Sequence, residues 1–356
     1  MPLVKPHALP TVAYLIEPRF AGGTSAAVAA ELRIIAQRAR VTVHAIRSRI
    51  FSTQPVAPVL EATLEDLKID LLWDTPTIGA DLVILHNPVF LKNQADLGCR
   101  IVARHLLVVT HENFLRPGGI EGFDVAHCLD QIDRAATALR KSIAPISAYN
   151  RQTVSGWAQI HGLGRRWGVL DRDWFNICDF ATLAPTPRPA DRRGRHSRPG
   201  FEKFPELATM DLCFPKHATA NVILGADSYL ATQLQRPHWM MYPFQAIDVA
   251  QYLGMIDFMV YFTAPTWRES FGRVLAEAIA AGKVVITDPQ TASAFGGAVI
   301  AATPAEVDDI IARHLARPHL YQSQVTHAQA KLASHSGTAF ATLLDRVLAQ
   351  QVGVAA

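Results

Sequence analysis

Short apolar runs alternate with longer helix-like segments along the whole chain. Residues 11–16, 81–86 and 106–111 are apolar stretches of the first half, and residues 221–225 and 257–262 repeat the pattern in the second half. Apolar runs of this length are typical of strands that are buried on both faces. Alternation of such strands with helices predicts an α/β protein with doubly wound parallel sheets.

The first apolar run opens a strand–loop–helix–strand unit. Residues 26–39 have strong helix propensity, and residues 41–46 form the next apolar run. Gly22 and Gly23 precede the helix, where glycines let a ligand approach the main chain near a helix N-terminus. A glycine pair is also common in simple tight turns. The loop is not G-x-G-x-x-G, so no dinucleotide site is predicted.

Two of the predicted strands end in histidine, at His86 and His111. Open α/β sheets bind ligands at the carboxyl ends of their strands, which makes both histidines candidates. A histidine in such a loop more often bonds only to neighbouring main chain. The sequence at His111 (HENF) lacks the second histidine of an H-E-x-x-H zinc site.

Local patterns predict the remaining elements of the first half. Residues 130–140 are predicted to form a helix, and residues 145–150 the last strand of the first domain with its loop. The tryptophan-containing stretch 157–174 is interpreted as the connection to a second domain.

The most informative stretch is residues 261–289, YFTAPTWRESFGRVLAEAIAAGKVVITDP. It predicts a strand end, a loop, a helix with Ser270 as its N-cap, and a further strand. Gly282 is predicted to end the helix. Glu269 lies in the loop before the helix and Glu277 lies two turns inside it, with seven residues between them.

The two carboxylates flank a helix N-terminus, where free main-chain N–H groups favour a phosphate. A carboxylate ahead of that terminus is placed to accept hydrogen bonds from sugar hydroxyls, and one further along can accept them from a ribose. An amphipathic helix with two solvent-facing glutamates is the simpler alternative, and the spacing alone does not exclude it.

The full string ESFGRVLAEAIAAGKVVI resembles the Glu-x7-Glu signature of retaining nucleotide-sugar glycosyltransferases of the GT-B fold, the family-four type. It departs from the usual form at Ser270, Arg273 and Lys283. The resemblance implies two Rossmann-like, doubly wound domains that face each other across a cleft. The implied domains are an acceptor-side domain at 1–178, a donor-side domain at 179–337, and a helix at 338–356 that crosses back to the first domain.

Residues 184–203, APTPRPADRRGRHSRPGFEK, are rich in proline and arginine. Alone, they indicate a flexible basic linker or a nucleic-acid contact. By the resemblance they open the donor domain, where an Arg and a Lys clamp the donor diphosphate through bidentate contact and a point charge. This implies Arg195 and Lys203 as the clamp and Arg198 as the alternative to Arg195. The expected strand before Gly194 is poor, because it reads ADRR.

The resemblance also implies a role for each site residue. Glu269 would hold the donor sugar, Glu277 would hold the ribose, and His111 would lie near the reacting sugar. The implied catalytic set is Glu269, His111, Arg195 and Lys203. The implied donor-binding set is Glu277, Gly272, Arg273, Phe271, Gly23, Gly22, Arg198 and Phe244.

Composition narrows the class of protein. A chain of 356 residues exceeds one comfortable core, which favours two domains. Its 49% apolar and 18% charged residues are typical of soluble globular proteins. A net charge of +3 is too mild to predict a nucleic-acid partner, although it permits peripheral contact with the inner membrane face. The sequence shows no secretory pattern and no bilayer-spanning apolar run, so a cytoplasmic location is expected.

No cofactor and no metal site are predicted. The four cysteines show no C-x-x-C pairing, and reduced thiols are expected. The donor substrate implied by the resemblance is a nucleoside-diphosphate sugar of UDP or GDP, and the implied acceptor is a glycan or a glycolipid.

The implied reaction transfers a sugar from this donor to an acceptor hydroxyl, with retention at the anomeric carbon, in polysaccharide or glycolipid assembly. Two alternatives stay open, namely a GT-B nucleotide-sugar epimerase and a non-catalytic binding or scaffold module. The base, the sugar, the acceptor, the linkage and the oligomeric state are not encoded in any pattern above.

Overall fold

The computed structural model describes residues 9–164 and 167–352, with side chains as far as residue 350. The chain divides into two compact units. The first unit takes the chain as far as Leu115, Gly119–Ile177 and the segment from Gly337 onward. The second unit takes Arg116–Gly118 and Cys178–Ser336.

The first unit contains a parallel sheet flanked in sequence by helices. Its elements in chain order are β1 (Thr11–Ile16), α1 (Gly23–Ile35), β2 (Arg40–Ala45), α2 (Pro58–Leu67), β3 (Leu71–Leu72), β4 (Thr77–His86), β5 (Arg100–Thr110), α3 (Val125–Ala135), β6 (Ala136–Pro145), α4 (Ala148–His161) and β7 (Trp167–Val169). The described strands lie in the order β3-β2-β1-β4-β5-β6-β7, and all pairs are parallel.

The second unit repeats this architecture. Its elements are β8 (Arg192–His196), α5 (Leu207–Cys213), β9 (Ala220–Leu224), α6 (Asp227–Ala231), β10 (Met240–Tyr242), α7 (Val249–Gly254), β11 (Phe258–Tyr261), α8 (Arg273–Ala280), β12 (Val284–Thr287), α9 (Pro289–Ala292), β13 (Ile300–Ala301), α10 (Val307–Ala316) and α11 (Pro318–Leu332). The strand order is β10-β9-β8-β11-β12-β13, again with parallel pairs.

Both sheets are doubly wound, as the alternation of apolar runs predicts. In the first sheet, β1, β2 and β3 follow one another towards one edge, and β4 to β7 follow one another towards the other edge, so the strand order reverses between β1 and β4. In the second sheet it reverses between β8 and β11. The apolar strand residues are buried in a separate core cluster in each unit, for example Val83 and Val108 in the first and Val260 and Ile286 in the second. Because open parallel sheets bind ligands where the strand order reverses, a ligand-binding site is expected at the carboxyl ends of these strand pairs.

Strand β8 lies inside the second sheet although its sequence is RRGRH. Arg193 is buried and its guanidinium pairs with Asp191 at 2.7 Å and Asp308 at 2.6 Å. Arg192 pairs with Asp257 at 2.8 Å. The interpretation of this stretch as a flexible linker is therefore wrong, because carboxylates from elsewhere in the unit neutralise a polar strand.

The last helix, α12 (Gly337–Val352), belongs to the first unit and packs against α1. Arg38 at the end of α1 pairs with Asp345 at 3.3 Å, and Phe340 packs edge-on against Trp174 with ring centroids 5.0 Å apart. Among the helices of the described residues, none combines the length and the apolar character that crossing a bilayer requires.

Three predictions for the end of the first unit are wrong. Residues 136–140 extend as the start of β6 and do not continue the helix α3, because they pair with β5. Residues 148–150 begin the helix α4, whose N-cap Ser147 accepts a hydrogen bond from the main-chain N–H of Asn150 at 3.1 Å. Trp157 accordingly lies in a helix and not in a connection. Sheet pairing outweighed a local helix preference in the first case.

Gly282 follows α8 with φ +76°, as its predicted position after the helix requires, and a Cβ there would lie 2.8 Å from the carbonyl oxygen of Ala184. We expect Gly282→Ala to lower the free energy of unfolding by about 1–3 kcal/mol, because the alanine must adopt a left-handed conformation. Gly254 closes α7 with open space around it, so Gly254→Ala is the matched control. Chemical denaturation of both variants checks this, and equal stabilities would contradict it.

Candidate functional site

Strand β8 and the loops after β8 and β11 carry the predicted catalytic residues of the second unit. These are the two strands at which the strand order reverses. The loop after β8 contains Arg198 and a short helical turn at Phe201–Lys203, and the loop after β11 contains Glu269. The structure thus brings Lys203 and Glu269 together although 66 positions separate them.

Glu269 is the centre of this cluster. Its Oε1 accepts hydrogen bonds from Nζ of Lys203 at 2.7 Å and from the Tyr261 hydroxyl at 2.6 Å. Lys203 also lies over the ring of Trp267, with Nζ 5.6 Å from its centroid. The side chains of Lys203 and Glu269 are 11% and 15% exposed, so the pair is shielded from water but remains accessible at one edge.

The electrostatics of the cluster keep Glu269 ionised. Burial alone raises the pKa of its carboxyl, but the charge of Lys203, the hydrogen bonds from Lys203 and Tyr261, and the charge of Arg198 together lower the pKa below its usual value. A carboxylate with one oxygen already engaged in two hydrogen bonds is a fixed acceptor and is poorly suited to act as a free base.

Arg195 has a different position from the one predicted. Its side chain is fully buried, Nη1 donates to the carbonyl oxygen of Phe262 at 3.0 Å, and Nη2 donates to the carbonyl oxygen of Lys203. The guanidinium lies between the rings of Phe204 (4.1 Å) and Tyr261 (5.1 Å). Arg195 therefore links the two site loops through the hydrogen bonds of its two Nη atoms.

Arg198 is the arginine that solvent reaches. Its side chain is 50% exposed and pairs with Glu202 at 2.9 Å. Its charge contributes to lowering the pKa of Glu269, so it belongs to the same electrostatic cluster. Of the two predicted arginines, Arg198 therefore has the exposed guanidinium and Arg195 the buried one.

The helix after Glu269 begins later than predicted. It starts at Arg273, and the N-cap is Gly272 with φ +87°, not Ser270. The left-handed turn at Gly272 separates the loop from the helix and leaves the first N–H groups of α8 at the carboxyl edge of the sheet. Phe271 is buried against Phe295 and His335, so its role is to fix this turn.

Glu277 lies inside α8 among polar and apolar neighbours. Its Oε1 accepts a hydrogen bond from Nε of Arg273 at 3.1 Å, and its Oε2 lies 3.7 Å from Nε2 of His196. Burial raises the pKa of Glu277, and the charge and hydrogen bond of Arg273 offset this only in part. Burial and the charge of Arg195 lower the pKa of His196 to about 4, so His196 is a neutral neighbour.

A groove of about 400 Å³ lies beside Glu277 between α7 and α8. Its walls are mainly apolar and include Phe180, Val249, Leu253 and Ala281. Phe244, which was predicted to bind the donor, is half exposed in the loop before α7, and its main-chain N–H donates to Asp227 at 2.9 Å.

The glycine loop of the first unit forms the N-terminus of α1, as predicted. Gly22 is the N-cap, and a Cβ on it would lie 2.5 Å from the ring of Phe20. Gly23 has open space around it. The preceding turn is fixed by Glu17, whose carboxylate accepts from Nε and Nη2 of Arg19 at 2.8 Å each.

His111 lies just beyond β5 and contacts the other strand-end histidine. Its Nε2 lies 3.0 Å from Nδ1 of His86, and Nε2 of His86 lies 3.3 Å from Oε2 of Glu31 on α1. Burial, and second the charge of His86, lower the pKa of His111 well below its usual value. His111 is thus the outer member of a buried polar chain.

Sequence reasoning missed Tyr261, His196, His86 as a partner of His111, and Glu31. Tyr261 and His196 could have been identified from the sequence, because each carries a polar group and ends a strand next to the position where the strand order reverses. Glu31 carried no signal, because it lies within an ordinary helical pattern. Among the described residues, no group of three or more His, Cys, Asp or Glu side chains is arranged to hold a metal ion.

The two units, each a doubly wound Rossmann-like parallel sheet, have the architecture of the GT-B fold. No protein-family model matches the sequence, and a search of curated proteins found no match. Solved GT-B structures are similar in fold.

Anabaena HepE, in complex with UDP and glucose, aligns with a TM-score of 0.66 and 15% identity over 96% of this chain and 100% of HepE. WaaB, described as a lipopolysaccharide outer core galactosyltransferase, aligns with a TM-score of 0.58 and 13% identity over 96% of this chain and 99% of WaaB. An α-glucosyltransferase in complex with UDP-glucose and DNA aligns with a TM-score of 0.53 and 10% identity over 95% of this chain and 98% of its own.

The two glutamates are expected to affect stability with opposite signs. The lowered pKa of Glu269 means that its charge stabilises the fold above its unfolded pKa of about 4.3, and this contribution is lost as pH falls through the folded pKa. The raised pKa of Glu277 means that its charge costs stability once pH rises above the folded pKa. At pH 7.5 we therefore expect Glu269→Gln to lower Tm and Glu277→Gln to raise it, by about 2–4 °C per kcal/mol.

Thermal melts of the three proteins between pH 3 and pH 8 check this. The Glu277→Gln difference is expected to shrink as pH falls through the raised folded pKa of Glu277, whereas the Glu269→Gln difference shrinks only below the unfolded pKa of about 4.3, as pH approaches the lowered folded pKa. Shifts of the same sign at pH 7.5, or a Glu269→Gln difference that is lost at a higher pH than the Glu277→Gln difference, would contradict the assigned electrostatics.

Proposed function

We propose that this protein is a glycosyltransferase that moves a sugar from a nucleoside-diphosphate donor to an acceptor hydroxyl, with retention at the anomeric carbon. The observation that carries the proposal is the Lys203–Glu269–Tyr261 cluster. It lies where the strand order of the second unit reverses, with Lys203 from the loop after β8, Tyr261 from the end of β11 and Glu269 from the loop that leads into α8. The similarity of fold to solved glycosyltransferases supports it.

The donor diphosphate binds to positively charged and N–H donor groups of the second unit. The main-chain N–H groups of Gly272 and Arg273 at the start of α8 favour an anion. Lys203 adds a cation beside them, and Arg198 adds an exposed guanidinium from the same loop. These groups stabilise the charge that develops on the departing diphosphate, which is the main electrostatic demand of this reaction.

Glu269 and Glu277 orient the donor from its two ends. Glu269 is ionised and held by Lys203 and Tyr261, so its second oxygen is the acceptor for sugar hydroxyls. Glu277 accepts from the ribose, and the apolar groove beside it, with Phe244 at the preceding loop, receives the base. UDP is the first candidate because HepE and the α-glucosyltransferase bind UDP or UDP-glucose.

The chemistry follows from this arrangement. The bond between the anomeric carbon and the phosphate oxygen breaks, and the acceptor oxygen forms its bond on the same face of the sugar. The leaving diphosphate takes the acceptor proton, because Glu269 is already engaged by Lys203 and Tyr261. Lys203 and Arg198 supply the charge compensation that a metal supplies in other transferases, so we propose that magnesium is not required.

The first unit supplies the Gly22–Gly23 loop and His111 as its contribution to substrate binding. A glycan or glycolipid of cell-surface polysaccharide assembly is the proposed acceptor, in line with the description of WaaB, and we propose that the work takes place in the cytoplasm at the inner membrane face. A non-catalytic module is the weaker candidate, because the segment around Gly194, which is a poor strand by sequence, forms a regular inner strand of the sheet.

Nucleotide binding is the first test. We expect UDP to raise the Tm of the protein with or without magnesium, and Glu277→Ala to abolish most of the shift because the ribose loses its acceptor. GDP, ADP, CMP and dTDP serve as comparisons. No shift with any of these nucleotides would favour the non-catalytic module, and a shift that depends on magnesium would contradict the metal-independent mechanism.

The two arginines give a sharper test of the mechanism. We expect Arg198→Ala, Lys203→Ala and Glu269→Ala each to lower the rate of transfer on the order of a hundredfold. Arg198→Ala should leave Tm close to that of the wild type, whereas Arg195→Met should lower Tm because it leaves buried carbonyl groups without donors.

Kinetics with the identified donor, together with melts of the four variants, distinguish these roles. Wild-type rates in Arg198→Ala would remove Arg198 from the proposed site. A stable Arg195→Met protein with weakened UDP affinity would restore Arg195 as a phosphate ligand.

A further inference from the structure

The first unit contains an aligned chain of three titratable side chains. Oε2 of Glu31 lies 3.3 Å from Nε2 of His86, and Nδ1 of His86 lies 3.0 Å from Nε2 of His111. The side chains of His86 and Glu31 are 0% and 1% exposed, whereas His111 is half-buried. The chain therefore leads from the interior of the unit to a residue that a ligand can reach.

The chain lies where the strand order of the first sheet reverses. His86 ends β4 and stacks on Tyr14 of β1, with ring centroids 5.5 Å apart and planes 12° apart. Asn87, the next residue, donates to Thr24 in the first turn of α1 at 3.4 Å. His111 is thus anchored beside the N-terminal helix of the glycine loop, at the edge where open α/β sheets bind ligands.

The charges of the buried pair must balance. An ionised Glu31 with only neutral neighbours would carry a large desolvation cost, whereas a carboxylate beside an imidazolium forms a neutral pair. The titratable groups that face His86 are Tyr14 from β1, Glu31 from α1, and His111 from the loop after β5. The Tyr14 hydroxyl donates to Oε2 of Glu31 at 3.1 Å, which stabilises the carboxylate.

The proton positions follow from this balance. A charged His86 forms an ion-pair contact with Glu31 through Nε2–H and donates Nδ1–H to His111. His111 must then accept at Nε2, and its own proton resides on Nδ1. The lowered pKa of His111, caused by burial and by the charge of His86, agrees with an uncharged outer ring.

We propose that Glu31 and His86 are positioning residues that hold His111 neutral with its proton on Nδ1, so that it offers an N–H donor to an uncharged sugar oxygen. This rests on the proposed glycosyl transfer. Without the pair, a neutral histidine would interchange between its two tautomers. A fixed donor costs no reorganisation when the sugar binds.

The wild-type protein alone decides the arrangement. Histidine-selective ¹⁵N labelling and two-bond ¹H–¹⁵N correlation spectra at pH 7 report which ring nitrogens carry protons. We expect His86 to be doubly protonated and His111 to carry its proton on Nδ1. A His111 protonated on Nε2 or on both nitrogens, or a singly protonated His86, would overturn the proposal.

Variants then separate positioning from simple packing. Glu31→Gln is expected to leave His86 singly protonated, and Tyr14→Phe, which removes one hydrogen bond but keeps the ion pair, is the matched control that should leave both rings unchanged. His105, whose Nε2 lies 2.9 Å from the hydroxyl of Ser142 in the same sheet, is an internal reference that should not change in either variant.

The kinetic consequence completes the test. Loss of a residue that orients a functional histidine costs about 10- to 100-fold. We expect Glu31→Gln to lower kcat of transfer by this factor while the Kd for UDP stays unchanged, since the nucleotide groups belong to the second unit. An unchanged kcat would overturn the positioning role. If no transfer is found for any donor, the proposed function fails, and the spectra still decide the proton positions.

Discussion

The second unit depends on one buried guanidinium. Arg195 lies in β8, one of the two strands at which the strand order reverses. Its guanidinium donates hydrogen bonds to the carbonyl oxygens of Lys203 and Phe262. These carbonyls belong to the two loops that carry the ion pair of Lys203 and Glu269. Because breaking either hydrogen bond would leave a buried donor and a buried carbonyl without partners, the loops have little freedom to separate. The distance between the cation and the carboxylate is therefore set by a residue that need not touch a substrate.

The same strand shows how charge is accommodated inside a sheet. Arg193 is neutralised by Asp191 and Asp308, and Arg192 by Asp257. Removing one member of such a buried pair is strongly destabilising, whereas the intact pair contributes little net stability. These pairs therefore fix which segment occupies the middle of the sheet, and in this way they place Arg195 at the reversal point.

The buried carboxylates of the two units differ in how their surroundings stabilise the negative charge. Glu269 is stabilised as an anion by Lys203 and Tyr261, so its charge favours the fold, and we propose that it also binds the sugar. The surroundings of Glu277 disfavour its charge, which agrees with the proposed ribose-binding role at the expense of stability. In the first unit, Glu31 is paired with His86, and we propose that its effect reaches a ligand through His111.

The sequence by itself determined the α/β class, the strand at Thr11–Ile16, the glycine after α8, and the pairing of Glu269 with a nearby helix N-terminus. These features depend on local hydrophobic periodicity and on the backbone conformations that favour glycine. Both can be recognised within a single short segment of the sequence. The tertiary structure alone decided that 136–140 is a strand, that Gly272 and not Ser270 caps α8, and that Arg198 and not Arg195 is exposed. Each of these depends on partners that are remote in the chain, such as the carbonyl of Phe262 for Arg195 or the carboxylate of Glu31 for His86, and no local pattern encodes where those partners will lie.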